Sequence, residues 1–203
     1  MAQQKEKYTK WVACWGNATS ITDRKECVYA KDITLRYPVR VVFSGSRLRF
    51  RFSNLTGTED VTMTKAYVVK QDEAYVPVPV TFGGNASVVI KPGKEVESDE
   101  IDFDIEAGQT VEVSMYFGGY TQMNAGTLIT GPLSKGKYSY GDFASEKELP
   151  IDLTRNTNWF LFPQYNRCAD RRKESCPRLL WRFYHSAKLA RLACYPSMGE
   201  WFP

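Results

Sequence analysis

Between about Lys10 and Phe162 apolar and polar side chains alternate with a period of two, in short runs rich in β-branched and aromatic residues. Gly, Pro, Asn and Asp separate the runs, as turn chemistry requires. Residues 33–43 form a long first run, and Ser44-Gly45-Ser46 turns it into Arg47-Leu48-Arg49-Phe50-Arg51-Phe52. In that second strand Leu48, Phe50 and Phe52 fall on one face and Arg47, Arg49 and Arg51 on the other, which predicts a sheet with one face on a core and one in water. Further strands are predicted over 61–69, 76–82, 87–90, 101–105 and 111–117, separated by Gly83-Gly84-Asn85, Lys91-Pro92-Gly93-Lys94 and Ala107-Gly108-Gln109. Residues 120–145, rich in Gly, Ser and Tyr, read as a long loop with weak strands, and Trp159-Phe160-Leu161-Phe162 as a final buried strand. Short strands at regular spacing, with no sustained helical period, predict an all-β fold: an antiparallel, jelly-roll-like β-sandwich of two sheets.

After Asn166 the alternation stops. Leu179, Leu180, Phe183 and Tyr184 cluster, but Pro177 and Pro196 interrupt and no period is sustained. Residues 1–166 are therefore expected to be the sandwich domain, and 167–203 an irregular, partly helical or disordered tail rather than a second domain.

Charge sharpens this division. The net charge of +4 looks like a sign of an acidic partner, yet residues 167–203 hold 8 of the 27 Lys/Arg and only 3 of the 23 Asp/Glu. The tail is thus +5 and the first 166 residues −1. A chain of 203 residues buries roughly 70% of its potential surface and needs no staple to fold. No apolar run approaches a leader or the ~20 residues of a membrane span, so a cytoplasmic protein with no membrane partner is expected. In that setting the five cysteines are expected as thiols, and the sequons at Asn17, Asn54 and Asn85 carry little weight.

Candidate chemistry is sparse. A serine or cysteine hydrolase needs a base beside its nucleophile, and His185 is the one histidine. No G-x-S-x-G elbow is present, and Tyr140-Gly141-Asp142-Phe143 departs from a Gly-Asp-Ser signature at its third position. Cys168, Cys176, His185 and Cys194 are separated by seven, eight and eight residues, which matches no zinc knuckle. No P-loop or dinucleotide fingerprint occurs, so no catalytic residue, metal or cofactor is predicted. The arginines at 47, 49 and 51 are expected to pair with acidic neighbours on a solvated face rather than to bind nucleic acid, because the domain as a whole is not basic. Trp11, Trp15 and Trp159 are expected as core anchors.

An ordered series of short motifs carries more information. Trp11-x-x-x-Trp15-Gly16, Asp32-Ile33-Thr34-Leu35-Arg36, Ser44 to Asn54, Thr56-Gly57-Thr58-Glu59, Val80-Thr81-Phe82-Gly83-Gly84, Lys91-Pro92-Gly93 and Glu97-Ser98-Asp99 together resemble the amino-terminal β-sandwich of one branch of bacterial SGNH (GDSL-type) ester hydrolases. The resemblance spans about residues 10–166. It implies a parent activity of serine-dependent ester hydrolysis, with a carbohydrate ester such as an acetylated sugar as substrate. In that branch the sandwich leads into an α/β domain opening on a strand and Gly-Asp-Ser-Ile-Thr. Arg36 and Asn54 match the sandwich motifs and are polar among apolar neighbours, which makes them candidate binding residues; backbone hydrogen bonding is the competing role.

The tail bears on this resemblance through the genetic code. Joining the last two bases of each codon to the first of the next, Trp181 to Ser186 permit Gly-Asp-Ser-Ile-Thr, and Cys176 to Leu180 permit the apolar strand Ala-Leu-Val-Cys-Tyr before it. Leu189 to Ala193 likewise permit Trp-Pro-Asp-Trp-Leu. The expectation is a change of reading frame near residues 166–170. The chain is then the non-catalytic sandwich of an SGNH-type esterase; the alternative is a free-standing carbohydrate- or protein-binding module. Oligomeric state is left open.

Overall fold

A computed structural model describes residues 11–17, 28–71, 74–123, 126–128 and 135–170 of the chain. In chain order the strands are β1 (Trp11–Gly16), β2 (Tyr29–Ala30), β3 (Ile33–Arg40), β4 (Gly45–Ser53), β5 (Val61–Met63) and β6 (Lys65–Lys70). They continue with β7 (Val78–Val80), β8 (Val88–Ile90), β9 (Glu95–Glu97), β10 (Ile101–Ile105), β11 (Thr110–Phe117) and β12 (Thr121–Gln122). The last are β13 (Gly126–Leu128), β14 (Gly136–Tyr140), β15 (Arg155–Thr157), β16 (Trp159–Leu161) and β17 (Pro163–Asp170). The described residues contain no helix.

Two antiparallel sheets form an all-β sandwich. One runs β1-β17-β4-β10 with β9 also on β4; the other runs β15-β14-β3-β11-β6-β7. Two of the chain's crossings between them, 41–44 and 106–109, are neighbouring corners. These are tied together by Val41 N–H to the Gln109 carbonyl at 2.9 Å and Gly108 N–H to the Val41 carbonyl at 2.7 Å. Alternation places Leu48, Phe50 and Phe52 of β4, Ile101, Phe103 and Ile105 of β10, and Val111, Val113 and Met115 of β11 in the core, all buried. Tyr37 is buried among them; its hydroxyl donates to the Trp159 carbonyl at 3.0 Å and accepts from Leu161 N–H at 3.1 Å. Its ring stacks on Phe160 at 4.4 Å.

The structure departs from the sequence expectation in two places. Residues 120–145 contribute β14, which pairs with β3 inside the larger sheet, rather than only weak strands in a loop. At the end of the domain, Trp159–Leu161 makes only a short pair with β13, and the strand that completes the smaller sheet is β17. That strand lies between β1 and β4 and buries Cys168 and Ala169, so ordered structure continues past Asn166 to Asp170. Residues 171–203, including most of the expected tail, lie outside the described residues.

Candidate functional site

Arg36 lies in the middle of β3 on the face of the larger sheet turned away from the core. There it is buried beneath the segment that follows β14. Its guanidinium donates to the carbonyls of Phe143 at 2.8 Å, Glu146 at 2.7 Å and Lys147 at 3.1 Å, and pairs with Glu112 of β11 at 3.2 Å. Thr34, two residues earlier on the same face, donates to the Gly141 carbonyl and accepts from Phe143 N–H. Together they strap residues 141–147 across the sheet. Burial raises the Glu112 carboxyl above its ordinary value while Arg36 pulls it back down.

Asn54 follows β4 and is also buried. Its side-chain amide donates to the carbonyls of Glu59 at 2.8 Å and Ile90 at 3.0 Å, and its own carbonyl accepts from Gly57 and Gly93 N–H. One asparagine thus gathers the Thr56-Gly57-Thr58-Glu59 turn and the Lys91-Pro92-Gly93 turn. Gly57 packs so closely that a Cβ there would sit 1.9 Å from Asn54 Oδ1.

Asp99 ends Glu97-Ser98-Asp99, one of the motifs that carry the resemblance. Its carboxylate accepts from Gly83 N–H at 2.9 Å, Gly84 N–H at 2.8 Å and Thr81 Oγ1 at 2.8 Å. Those bonds, the one from Gly84 first, hold it below the ordinary carboxylate range. Gly83 and Gly84 both have positive φ (58° and 81°), the conformation that glycine adopts without steric cost. Arg36, Asn54 and Asp99 therefore share one use: each directs side-chain polar atoms to the backbone of loops, Arg36 and Asn54 from buried positions and Asp99 from a half-exposed one.

On the outer face of the smaller sheet the three arginines of β4 are paired. Arg47 and Arg49 meet Glu100, and Arg51 meets Glu95 and Glu97. Arg49 also lies 4.6 Å from the centre of the Trp11 ring. Trp11, Trp15 and Trp159 are half-buried rather than enclosed in the core: Trp11 and Trp15 lie on the edge strand β1, Trp11 under those arginines, and Trp159 begins the short strand β16.

Cys14 and Cys168 are fully buried thiols. A hydrogen bond to Cys168, then burial, pushes the Cys14 thiol far above the ordinary thiol range. Among the described residues no three or more His, Cys, Asp or Glu side chains are grouped to hold a metal. Of the four metal-type residues weighed in the sequence, only Cys168 is described. Two surface hollows, one along residues 142–151 and one around Arg51 and residues 93–97, are lined by no serine, cysteine or histidine.

At one end of the sandwich aromatic side chains reach solvent. Tyr29 and Tyr120 stack with ring centres 4.9 Å apart and planes 7° from parallel, and Tyr120 is 72% exposed. Tyr29 donates its hydroxyl to Glu59 at 2.7 Å, and Tyr116 donates to Asp32 at 2.7 Å, a bond that pushes the Tyr116 phenol up to about 12. No helix among the described residues is long and apolar enough to cross a membrane. Neither a protein-family model nor a curated protein matches the sequence.

Proposed function

We propose that residues 11–170 are a non-catalytic β-sandwich accessory module of the bacterial SGNH (GDSL-type) hydrolase kind, and that this module does not itself hydrolyse esters. The observation that carries this reading is the use made of the motif residues. Arg36, Asn54 and Asp99 are spent on holding the strap, two turns and the Gly83-Gly84 corner, so the motif series reads as a scaffold. The single histidine lies outside the module, which leaves no imidazole for a serine nucleophile there. The parent activity is serine-dependent hydrolysis of a carbohydrate ester, and its Gly-Asp-Ser motif is not written in frame in this chain. Burial of Cys168 and Ala169 in β17 supports a frame change late in the 166–170 window, at or after Asp170. The pair of buried thiols, Cys14 hydrogen-bonded to Cys168, supports a cytoplasmic setting.

A chromogenic acetyl ester tests the reading. The purified chain is expected to show no turnover sensitive to a serine-directed reagent; activity that co-purifies with the chain and is lost to that reagent overturns it. Reading the codons of residues 176–186 in the shifted frame tests the parentage. A second reading, recognition of a ligand by the module on its own, is favoured by the solvent-exposed Tyr29–Tyr120 stack.

A further inference from the structure

The end of the sandwich where that stack lies has a specific construction. Strands β3 and β11 pair as far as Ile33 with Phe117, and β2 pairs with β12 from Ala30 with Thr121. Between the two ladders Lys31-Asp32 on one side face Gly118-Gly119-Tyr120 on the other. Asp32 takes a positive φ of 52° there, and a Cβ at Gly119 would meet nothing within 4 Å. The ground beside Tyr120 is therefore open.

We propose that the Tyr29–Tyr120 stack is a binding platform for neutral pyranose units of an oligosaccharide, with Asp32 and Glu59 accepting hydroxyl hydrogen bonds at its rim. The proposal rests on the recognition reading above. An aromatic ring left in water forgoes the burial that such side chains usually supply, and this one is nearly parallel to a second ring that is itself tied to a carboxylate. The outer face of Tyr120 is consequently a preset plane, and docking against it orders little that is not already ordered. A surface one ring wide suits the C–H face of a pyranose, whose edge carries hydroxyl donors.

The rim chooses among stacking ligands. Asp32 and Glu59 are exposed carboxylates, each already oriented by a tyrosine hydroxyl on one oxygen. They accept from sugar hydroxyls and repel phosphates, so a nucleobase on Tyr120 would carry its backbone towards two negative charges. A uronate-bearing sugar meets the same repulsion.

The test uses calorimetric titration of the full chain with soluble neutral gluco-, manno- and xylo-oligosaccharides. A uronate oligosaccharide and a single-stranded oligonucleotide serve as further arms. Tyr120→Ala is expected to weaken neutral-sugar binding about tenfold or more, and Tyr120→Phe to stay within about threefold, because stacking needs the ring and not the hydroxyl. Asp32→Asn and Glu59→Gln are expected to weaken it less, and all four variants to keep the wild-type urea midpoint. Neutral-sugar binding undiminished in Tyr120→Ala overturns the platform and leaves the recognition reading standing. Binding of only the uronate or the oligonucleotide overturns the proposed ligand class. Binding in none of the arms overturns both the platform and the recognition of glycans.

Discussion

Replacing Arg36 by Met removes the charge and keeps much of the stem, so the loss falls on the strap and on Glu112. The carbonyls of Phe143, Glu146 and Lys147 lose the Arg36 donor, while Phe143 keeps Glu146 N–H and Glu146 keeps the Tyr75 hydroxyl; Glu112, whose side chain is only 14% exposed, loses its nearest counter-ion and keeps Gln71 and the field of Lys137. Breaking a buried pair from one side costs about 3–5 kcal/mol, chiefly because the remaining charge is stranded. Removing both charges is milder, so Arg36→Met with Glu112→Met is expected to recover about 2 kcal/mol of that loss. The sign with pH follows from Glu112. Its folded-state carboxyl lies above the ordinary 4.5, so the stability it contributes is full below that value and is lost as pH rises through the folded value. Without Arg36 the carboxyl moves further up, so the cost of Arg36→Met should be greatest near neutrality and shrink on acidification. Urea denaturation followed by tryptophan fluorescence at several pH values measures all three quantities, and amide exchange should show faster opening of residues 142–147. A cost below about 1 kcal/mol, or a cost that grows on acidification, would refute the assignment of Arg36 as the clamp.

Asn54→Ala should cost about 2–4 kcal/mol by orphaning the Glu59 and Ile90 carbonyls; Gly57→Ala should be costly in the wild type and much cheaper in that background, where the clash with Oδ1 is gone, as a double-mutant cycle in urea would show. Asp99→Asn is expected to cost about 1 kcal/mol at neutral pH, discounted for its exposure. Because the Asp99 carboxyl is held below its ordinary 3.8, its contribution is present above that value and lost as pH falls through the folded value, so the variant should show a flatter stability profile on the acid side. Cys14 and Cys168 should resist alkylation at pH 8 in the native chain and react in denaturant; peptide mapping that finds either labelled in the native chain contradicts their burial. A chain stopped after Asn166 should show no cooperative unfolding while one stopped after Arg171 keeps it, since among the described residues β17 is the strand that pairs with β1, and it supplies two core side chains; equal urea midpoints would contradict that placement.

Period-two alternation was enough to find β4 and β10, each with one face on the core and one towards water, and β3 and β11, whose outer-face residues Thr34, Arg36 and Ser114 stay polar although they are buried. The wet face of β4 also carried its own explanation, as the arginines proved to be paired with Glu95, Glu97 and Glu100. What alternation could not reveal was β17. Pro163 to Asp170 contains Gln, Asn, Arg and Asp, and the burial of Cys168 and Ala169 comes from the strand's lying between β1 and β4, a long-range placement that no local window records. β14 was obscured in the same way: Gly136, Lys137 and Ser139 read as loop residues, yet the strand is held by β3 on one side and β15 on the other.

The polar positions show the same limit from the other direction. A lone Arg or Asn among apolar residues stands out in a sequence, and Arg36 and Asn54 stand out for that reason and for their match to the sandwich motifs of the resemblance. A fold built from many short strands has many loop carbonyls and N–H groups to satisfy, and a buried side chain that reaches three or four of them is the economical answer. Such residues are conspicuous because they are structural. A site that meets a partner obeys the opposite rule, since its groups must stay in water until the partner arrives. Tyr29 and Tyr120 lie in a two-residue strand and a Gly-Gly-Tyr turn, where nothing in the pattern draws notice, and their relation exists only once β2 and β12 are paired. By that rule the interrupted ladder, where aromatic surface is exposed, meets the physical requirement of a binding site better than the motif residues that hold the loops.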